Sequence, residues 1–236
     1  MGLIEKTYGS FLEYTFTFLN PFKKALINTH CDVHKFINIQ ALRILKKDNH
    51  LDAFKFFTLN ISSINKGNHW ADQDFKSSSH LYNPHTKKGL FGRMNAMDLA
   101  VMYYNKSQKL WLDGHNEKSM FYFGAAVHII QDMTIPQHAN VKLLDNHRQY
   151  ENFIKKTYEN MDSFKATHGT YVLDTVEEYI GFNARMALKI HKKFKNIKEN
   201  EVRYYKIASC TLPLSQRTTA GCMLTFYREM VKKKSM

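Results

Sequence analysis

Residues 120–140 read "MFYFGAAVHIIQDMTIPQHAN". The stretch from Glu117 to Asp132 has helical character, and Pro136 forbids its continuation beyond "QDMTI". A proline in a helix interior removes one amide donor and clashes with the preceding turn. The expected product is a helix carrying His128 and Asp132 four residues apart, hence on one face. His138 then falls on a loop just past the proline. His147 and Glu151 repeat the same four-residue spacing where a further helix, from about Arg148 to Phe164, is expected to begin.

Working outward, hydrophobic periodicity points to helix nearly everywhere. In "VHKFINIQALRILKK" (33–47), Val33, Phe36, Ile37, Ala41, Ile44 and Leu45 recur at three- and four-residue steps, which makes one apolar stripe. Met94 to Trp111 also has helical character, and "LDGHNE" (112–117) supplies a glycine turn with Asn116 as the expected cap. Two more helices are expected from Leu173 to about Phe194 and from Arg217 to Lys233. Residues 65–92 are polar, hold Gly67, Pro84, Gly89 and Gly92, and lack periodicity. They read as a long ordered loop, a feature usually kept for function. With 4 Pro and 10 Gly in 236 residues and no Pro/Gly/Ser-rich linker, a many-turned β protein is excluded. The fold class is therefore all-α: a single domain of about seven to nine helices.

The charge balance is lopsided, with 34 Lys+Arg against 21 Asp+Glu, a formal +13. Such a surface favours anionic partners: phospholipid headgroups, nucleic acid or phosphorylated small molecules. Cys31, Cys210 and Cys222 are too few and too far apart for a disulfide framework or a CxxC metal site. No apolar run reaches the length of a membrane span. The opening "MGLIEKTYGSFLEYTFTFLNPFKKAL" is interrupted by Glu5 and Glu13 and makes a poor signal peptide, so the expectation is a cytoplasmic or non-classically exported protein.

A single His/Asp pair at helical spacing is more often a surface ion pair or a satisfied core contact than a metal site. His128 in particular sits among the apolar "AAVHII", where Asp132 could simply be its buried partner. The joint occurrence changes the balance. Two helical pairs and a hinge histidine lie in one chain with His34 on the first strong helix and Asp72 and His80 in the polar region. A zinc site needs three or four N/O donors on rigid elements, and this set could serve more than one ion.

The pattern resembles the zinc-dependent phospholipase C family, which includes bacterial phosphatidylcholine-hydrolysing enzymes and clostridial alpha toxin. "MFYFGAAVHIIQDMTIPQHAN" followed by "HRQYE" (147–151) carries FYxGxAxH, D, PxHAN and HxxxE in order. "SSSHLYNPHT" (77–86) is similar to the family's SHFYxPDT segment, "VHKFINIQALRIL" (33–45) to its N-terminal ligand helix, and "LSQRTTAGCMLTFY" (214–227) to its closing helix. Fungal single-strand nucleases share the fold more distantly. The resemblance covers roughly residues 30–232 and implies a catalytic domain over 30–236 behind an N-terminal extension, 1–29. It further implies two to three Zn²⁺ ions. One would be held by His80, His128 and Asp132, and a second by His138, His147 and Glu151. Asp132 would bridge to a third, bound also by His34. Asp72, or its neighbour Asp74, corresponds to the carboxylate that assists the attacking water.

Two departures from the family stand out. Its third zinc is completed by the amino and carbonyl groups of an N-terminal Trp, whereas residues 1–33 here contain no Trp. Cys31 and His30 are candidate replacements, with a small buried thiol the equal alternative for Cys31. Gln73 and Ser77 stand where the phosphatidylcholine enzymes carry aromatic rings, which removes the ring faces for cation–π capture of choline. The implied reaction is phosphodiester hydrolysis that releases diacylglycerol and a phosphorylated headgroup at a membrane surface. Phe75, Leu81 and Tyr82 are candidate membrane anchors or, equally, packing of the loop over the cluster. A nuclease using Trp70 and Tyr82 as a stacking platform, or a metal-stabilised binding protein, are the competing expectations.

Overall fold

The computed structural model describes residues 32–73, 79–90, 94–141 and 147–232. The expected N-terminal extension, 1–29, lies outside these residues. Eight α-helices form the described fold: α1 (Asp32–Lys47), α2 (Leu51–Asp72), α3 (Ala96–Leu112), α4 (Asn116–Asp132), α5 (Pro136–Ala139), α6 (His147–Thr157), α7 (Val176–Phe194) and α8 (Asn200–Phe226). A short 3₁₀ turn covers Asp162–Phe164, and wider π-type turns at Tyr227–Lys232 finish α8. A single bridge between Asn83 and Lys88 is the only extended pairing among the described residues. The all-α expectation holds.

The helices stop where local chemistry requires it. After α1, Asn49 takes a left-handed φ of 62° while His50 N–H donates to Leu45 O at 2.9 Å. After α3, Gly114 does the same at φ 82°, with His115 N–H donating to Leu110 O at 2.8 Å. Both arrangements satisfy carbonyls that the helix end leaves open. This tight reversal carries the chain straight into α4, so the expected cap Asn116 is instead its first residue, behind His115, which makes no capping bond. Helix α3 opens with a reciprocal box in which Asn95 accepts from Met97 and Asp98 amides and Asp98 returns a bond to the Asn95 amide.

Helix α4 is the axis of the fold. From Phe123 to Asp132 every residue is buried, and α2, α3, α7 and α8 all pack on it. Helix α2 lies against it at close range. A β-carbon at Gly67 would stand 1.8 Å from the Phe121 carbonyl oxygen, and one at Gly124 would stand 2.1 Å from that of Ile64.

Several expected boundaries are corrected. The stretch 65–72, read as the start of a loop, continues α2, because the glycine that lowers helix propensity there is needed for the approach to α4. His138 lies in the helical turn α5 rather than a loop, since Pro136 occupies the first helical position, where its missing N–H costs nothing. Helix α6 ends at Thr157 and not Phe164. Gln216 draws the following segment inward by accepting from Ala166 N–H and donating to Phe164 O, each at 2.7 Å. Helix α7 begins at Val176 rather than Leu173, because Leu173 is engaged with Tyr179 and Thr225 ahead of the Thr175 cap. Helix α8 starts at Asn200, far before Arg217. It is buried all round through Thr211, Ser215, Gln216, Thr218 and Thr219, which hides its apolar period.

Candidate metal centre

Asp132, the last residue of α4, is the point on which the site converges, and it is 4% exposed. Its Oδ2 accepts from His80 Nδ1–H at 2.9 Å and lies 3.3 Å from His128 Nε2 and 3.6 Å from His138 Nδ1. Its Oδ1 lies 3.5 Å from His34 Nε2. Four imidazoles, from α1, the 79–90 segment, α4 and α5, thus surround one carboxylate. On the far side, His138 Nδ1–H donates to the His80 carbonyl at 3.1 Å, which leaves its Nε2 lone pair 2.9 Å from His147 Nε2. His147 Nε2 is in turn 3.2 Å from Glu151 Oε1 on the same face of α6.

These donors fit a metal. The ligating atoms of His34, His128 and Asp132 all lie within 4.8 Å of one another, as do those of His138, His147 and Glu151. Zinc bonded at about 2.0–2.1 Å in a tetrahedron sets neighbouring donors roughly 3.3 Å apart, the spacing of several of these pairs. His80 Nε2 is buried without a hydrogen-bond partner, a state that costs free energy unless something polar meets it.

Electrostatics points the same way. Burial pushes the His34 and His80 rings below the ordinary histidine value and His138 down to about 4. Neutral imidazole, the ligating form, is therefore favoured at neutral pH. Burial alone would raise the Asp132 carboxyl, but His128, His138 and His80 outweigh it and hold it well below the usual carboxylate range. In the second group, burial opposes both charges, yet pairing raises His147 and lowers Glu151.

A cavity of about 230 Å³ opens above the cluster. Its polar floor holds His34, Asp72, His80, Asp132, His138, His147 and Glu151, and Val33, Ile37, Ile135, Ile154 and Leu212 form an apolar wall. His128, fully buried, stands behind the floor. The half-buried Asp72 is the last residue of α2, and its charge bears on both His34 and His80. All eight residues singled out in the sequence are thus brought together. His30, Cys31, Asp74, Phe75 and Ser77 lie outside the described residues.

Leu81 and Tyr82 are buried at 0% and 4% exposure, so of the two readings offered for them the surface anchor fails and inward packing of the segment holds. Their backbone is tied in, with Tyr82 N–H donating to His138 O and Ala96 N–H to Leu81 O, each at 3.2 Å. Trp70 and Tyr82 do not form a stacking platform, because Trp70 packs instead on Tyr103, Phe121 and Tyr122. Sequence reasoning also missed Gln131, whose Oε1 accepts His34 Nδ1–H at 2.7 Å. Its place beside Asp132 and one turn after His128 was the available signal.

An all-α bundle with a buried histidine–carboxylate centre at the end of its central helix defines a class of metal-dependent proteins. The chain belongs to the zinc-dependent phospholipase C family, whose pattern matches residues 33–208. It is 27% identical over 237 aligned positions to a phospholipase C of Clostridium novyi, covering 84% of this chain and 59% of that one. It is 28% identical over 189 positions to a phospholipase C of Listeria monocytogenes, covering 72% and 65%. Among solved structures it resembles the alpha toxin of Clostridium absonum, with a TM-score of 0.74 and 18% identity over 86% of this chain and 65% of that one. The alpha toxin of an avian Clostridium perfringens strain gives 0.70 and 19%, over 85% and 64%. The chain therefore spans 59–65% of the length of these proteins.

Proposed function

We propose that this protein is a zinc-dependent phospholipase C, hydrolysing a phospholipid to diacylglycerol and a phosphorylated headgroup. One observation carries the reading: a single cavity joins a floor of histidines and carboxylates to an apolar wall. The floor suits a phosphodiester, and the wall of Val33, Ile37, Ile135, Ile154 and Leu212 suits the glycerol and upper acyl carbons beside it. The basic surface, at +13, would favour an anionic bilayer.

In this reading residues 30–236 are the catalytic unit. His80, His128 and Asp132 would hold one zinc, His138, His147 and Glu151 a second, and His34 with Asp132 would serve a third. Bound zinc supplies positive charge against the phosphodiester oxygens and water acidified towards neutrality. Asp72 orients the attacking water at the cavity floor and accepts its proton. The chain's own departures shape selectivity. Gln73 has no ring face, which disfavours choline and leaves ethanolamine, serine or a non-lipid diester as the favoured substrates.

The test is zinc content measured beside turnover of phospholipid vesicles of several headgroups, bis-p-nitrophenyl phosphate and single-stranded DNA. Zinc-dependent release of diacylglycerol with the highest kcat/KM on a lipid other than phosphatidylcholine is expected. Hydrolysis of DNA without lipid turnover would replace the reading with a nuclease, and zinc binding without any turnover with a binding protein.

A further inference from the structure

Beneath His34 lies a chain of buried and half-buried amides outside the set of proposed ligands. Gln131, 1% exposed on α4, accepts His34 Nδ1–H on Oε1 at 2.7 Å. Its Nε2 donates to Asn38 Oδ1 at 2.8 Å and to Thr219 Oγ1 at 3.2 Å. Asn38, fully buried one turn after His34, passes its own Nδ2–H to Asn65 Oδ1 on α2 at 2.9 Å.

In the arrangement the amides take here, both protons of Gln131 go to Asn38 and Thr219 and its oxygen faces His34. A carbonyl oxygen cannot donate, so in this arrangement His34 Nδ1 carries the proton. The neutral ring then presents a bare lone pair at Nε2, 3.5 Å from Asp132 Oδ1. Two acceptors face each other across a gap that a cation would fill.

We propose that Gln131 is a positioning residue for the metal centre, locking His34 in the Nδ1–H form with Nε2 directed at the site beside Asp132 and anchoring that ring to α2, α4 and α8 at once. The proposal rests on the reading of the cluster as a zinc centre. Outer partners of ligating histidines set ring orientation and basicity, and losing one costs about 10–100-fold in metal affinity.

The experiment uses the full chain stripped of metal, comparing wild type, Gln131→Met and Gln131→Glu. Zn²⁺ affinity is read by competition with a chromophoric chelator, and Co²⁺ substitution by its visible spectrum. In Gln131→Met one class of sites should weaken about 10–100-fold while the rest is unchanged, with an altered Co²⁺ spectrum. Gln131→Glu, whose carboxylate still accepts from Nδ1–H but cannot donate to Asn38 or Thr219, should weaken the same class of sites less than Gln131→Met. If Gln131→Met does not fold, Thr219→Val, which releases one of the two anchors of the amide, should give a smaller loss in the same class of sites. Wild-type affinity and spectrum in Gln131→Met, or in Thr219→Val where that variant stands in, would overturn the proposal. Equal weakening in Met and Glu variants would also overturn it, since that marks a packing role. Failure of the wild type to bind zinc at all would instead sink the metal reading itself, before any variant is compared.

Discussion

The α-carbon of Gly67 faces the carbonyl of Phe121 so closely that a β-carbon there would come within 1.8 Å of its oxygen. Gly124 meets Ile64 in the same way from the opposite helix. These two contacts set the separation of α2 and α4, and α2 ends at Asp72 while α4 ends at Asp132. The spacing between the expected base and Asp132 is therefore built into a helix–helix contact about one to two turns before each of them.

Gly67→Ala and Gly124→Ala should each force the helices apart against backbone atoms that cannot rotate away. Overpacking in a filled core costs about 1–3 kcal/mol. Both variants should therefore show a lowered denaturant midpoint, and Gly67→Ala should also lower turnover by displacing Asp72. An unchanged midpoint for either would mean that the two helices separate freely.

Chelation should lower the melting temperature by many degrees. The donors come from α1, the 79–90 segment, α4, α5 and α6, so metal binding free energy is also folding free energy. The check is a melting curve in excess chelator after metal loss is verified, and a superimposable curve would refute the idea.

Asp72→Asn should keep zinc and stability while activity falls by on the order of 10²–10⁴-fold, the usual worth of a general base. Asp132→Asn removes the carboxylate on which four imidazoles converge, so it should lose metal, activity and stability together. His128→Ala should follow Asp132→Asn. Loss of zinc from Asp72→Asn would make Asp72 a ligand. Full activity in Asp72→Asn with none in Asp74→Asn would move the base by two residues.

Acid should destabilise the metal-free protein. His138 is held at about 4, against an ordinary value of 6.5, and His34 and His80 shift in the same direction. Between those values the unfolded chain binds protons that the folded one refuses, so stability is present above about 6.5 and is lost as pH falls towards 4. His147 shifts upward through its pairing with Glu151 and offsets part of this loss. Below about 3.8 the depressed Asp132 adds a further loss. The denaturant midpoint of chelated protein should be lower at pH 5 than at pH 7.5, and an equal or higher midpoint at pH 5 would contradict the assignment of buried neutral histidines.

By itself the sequence determined the all-α class and the helix of His128 and Asp132, and it singled out eight residues that the fold brings together. Helical periodicity and four-residue spacing are local properties, and motifs that depend on them can be read along the chain. Tertiary structure alone decided the rest. Helix α8 was half hidden because a buried helix can hold Thr, Ser and Gln once each finds a partner, and those partners come from elsewhere in the chain. Residues 65–72 became helix because a glycine that weakens local propensity strengthens a distant contact. Leu81 and Tyr82 went inward because their backbone is tied to His138 and Ala96. Gln131 meets His34 only because α1 and α4 pack together, and its place beside Asp132 marks it as near the site without showing that its partner is a histidine 97 positions away.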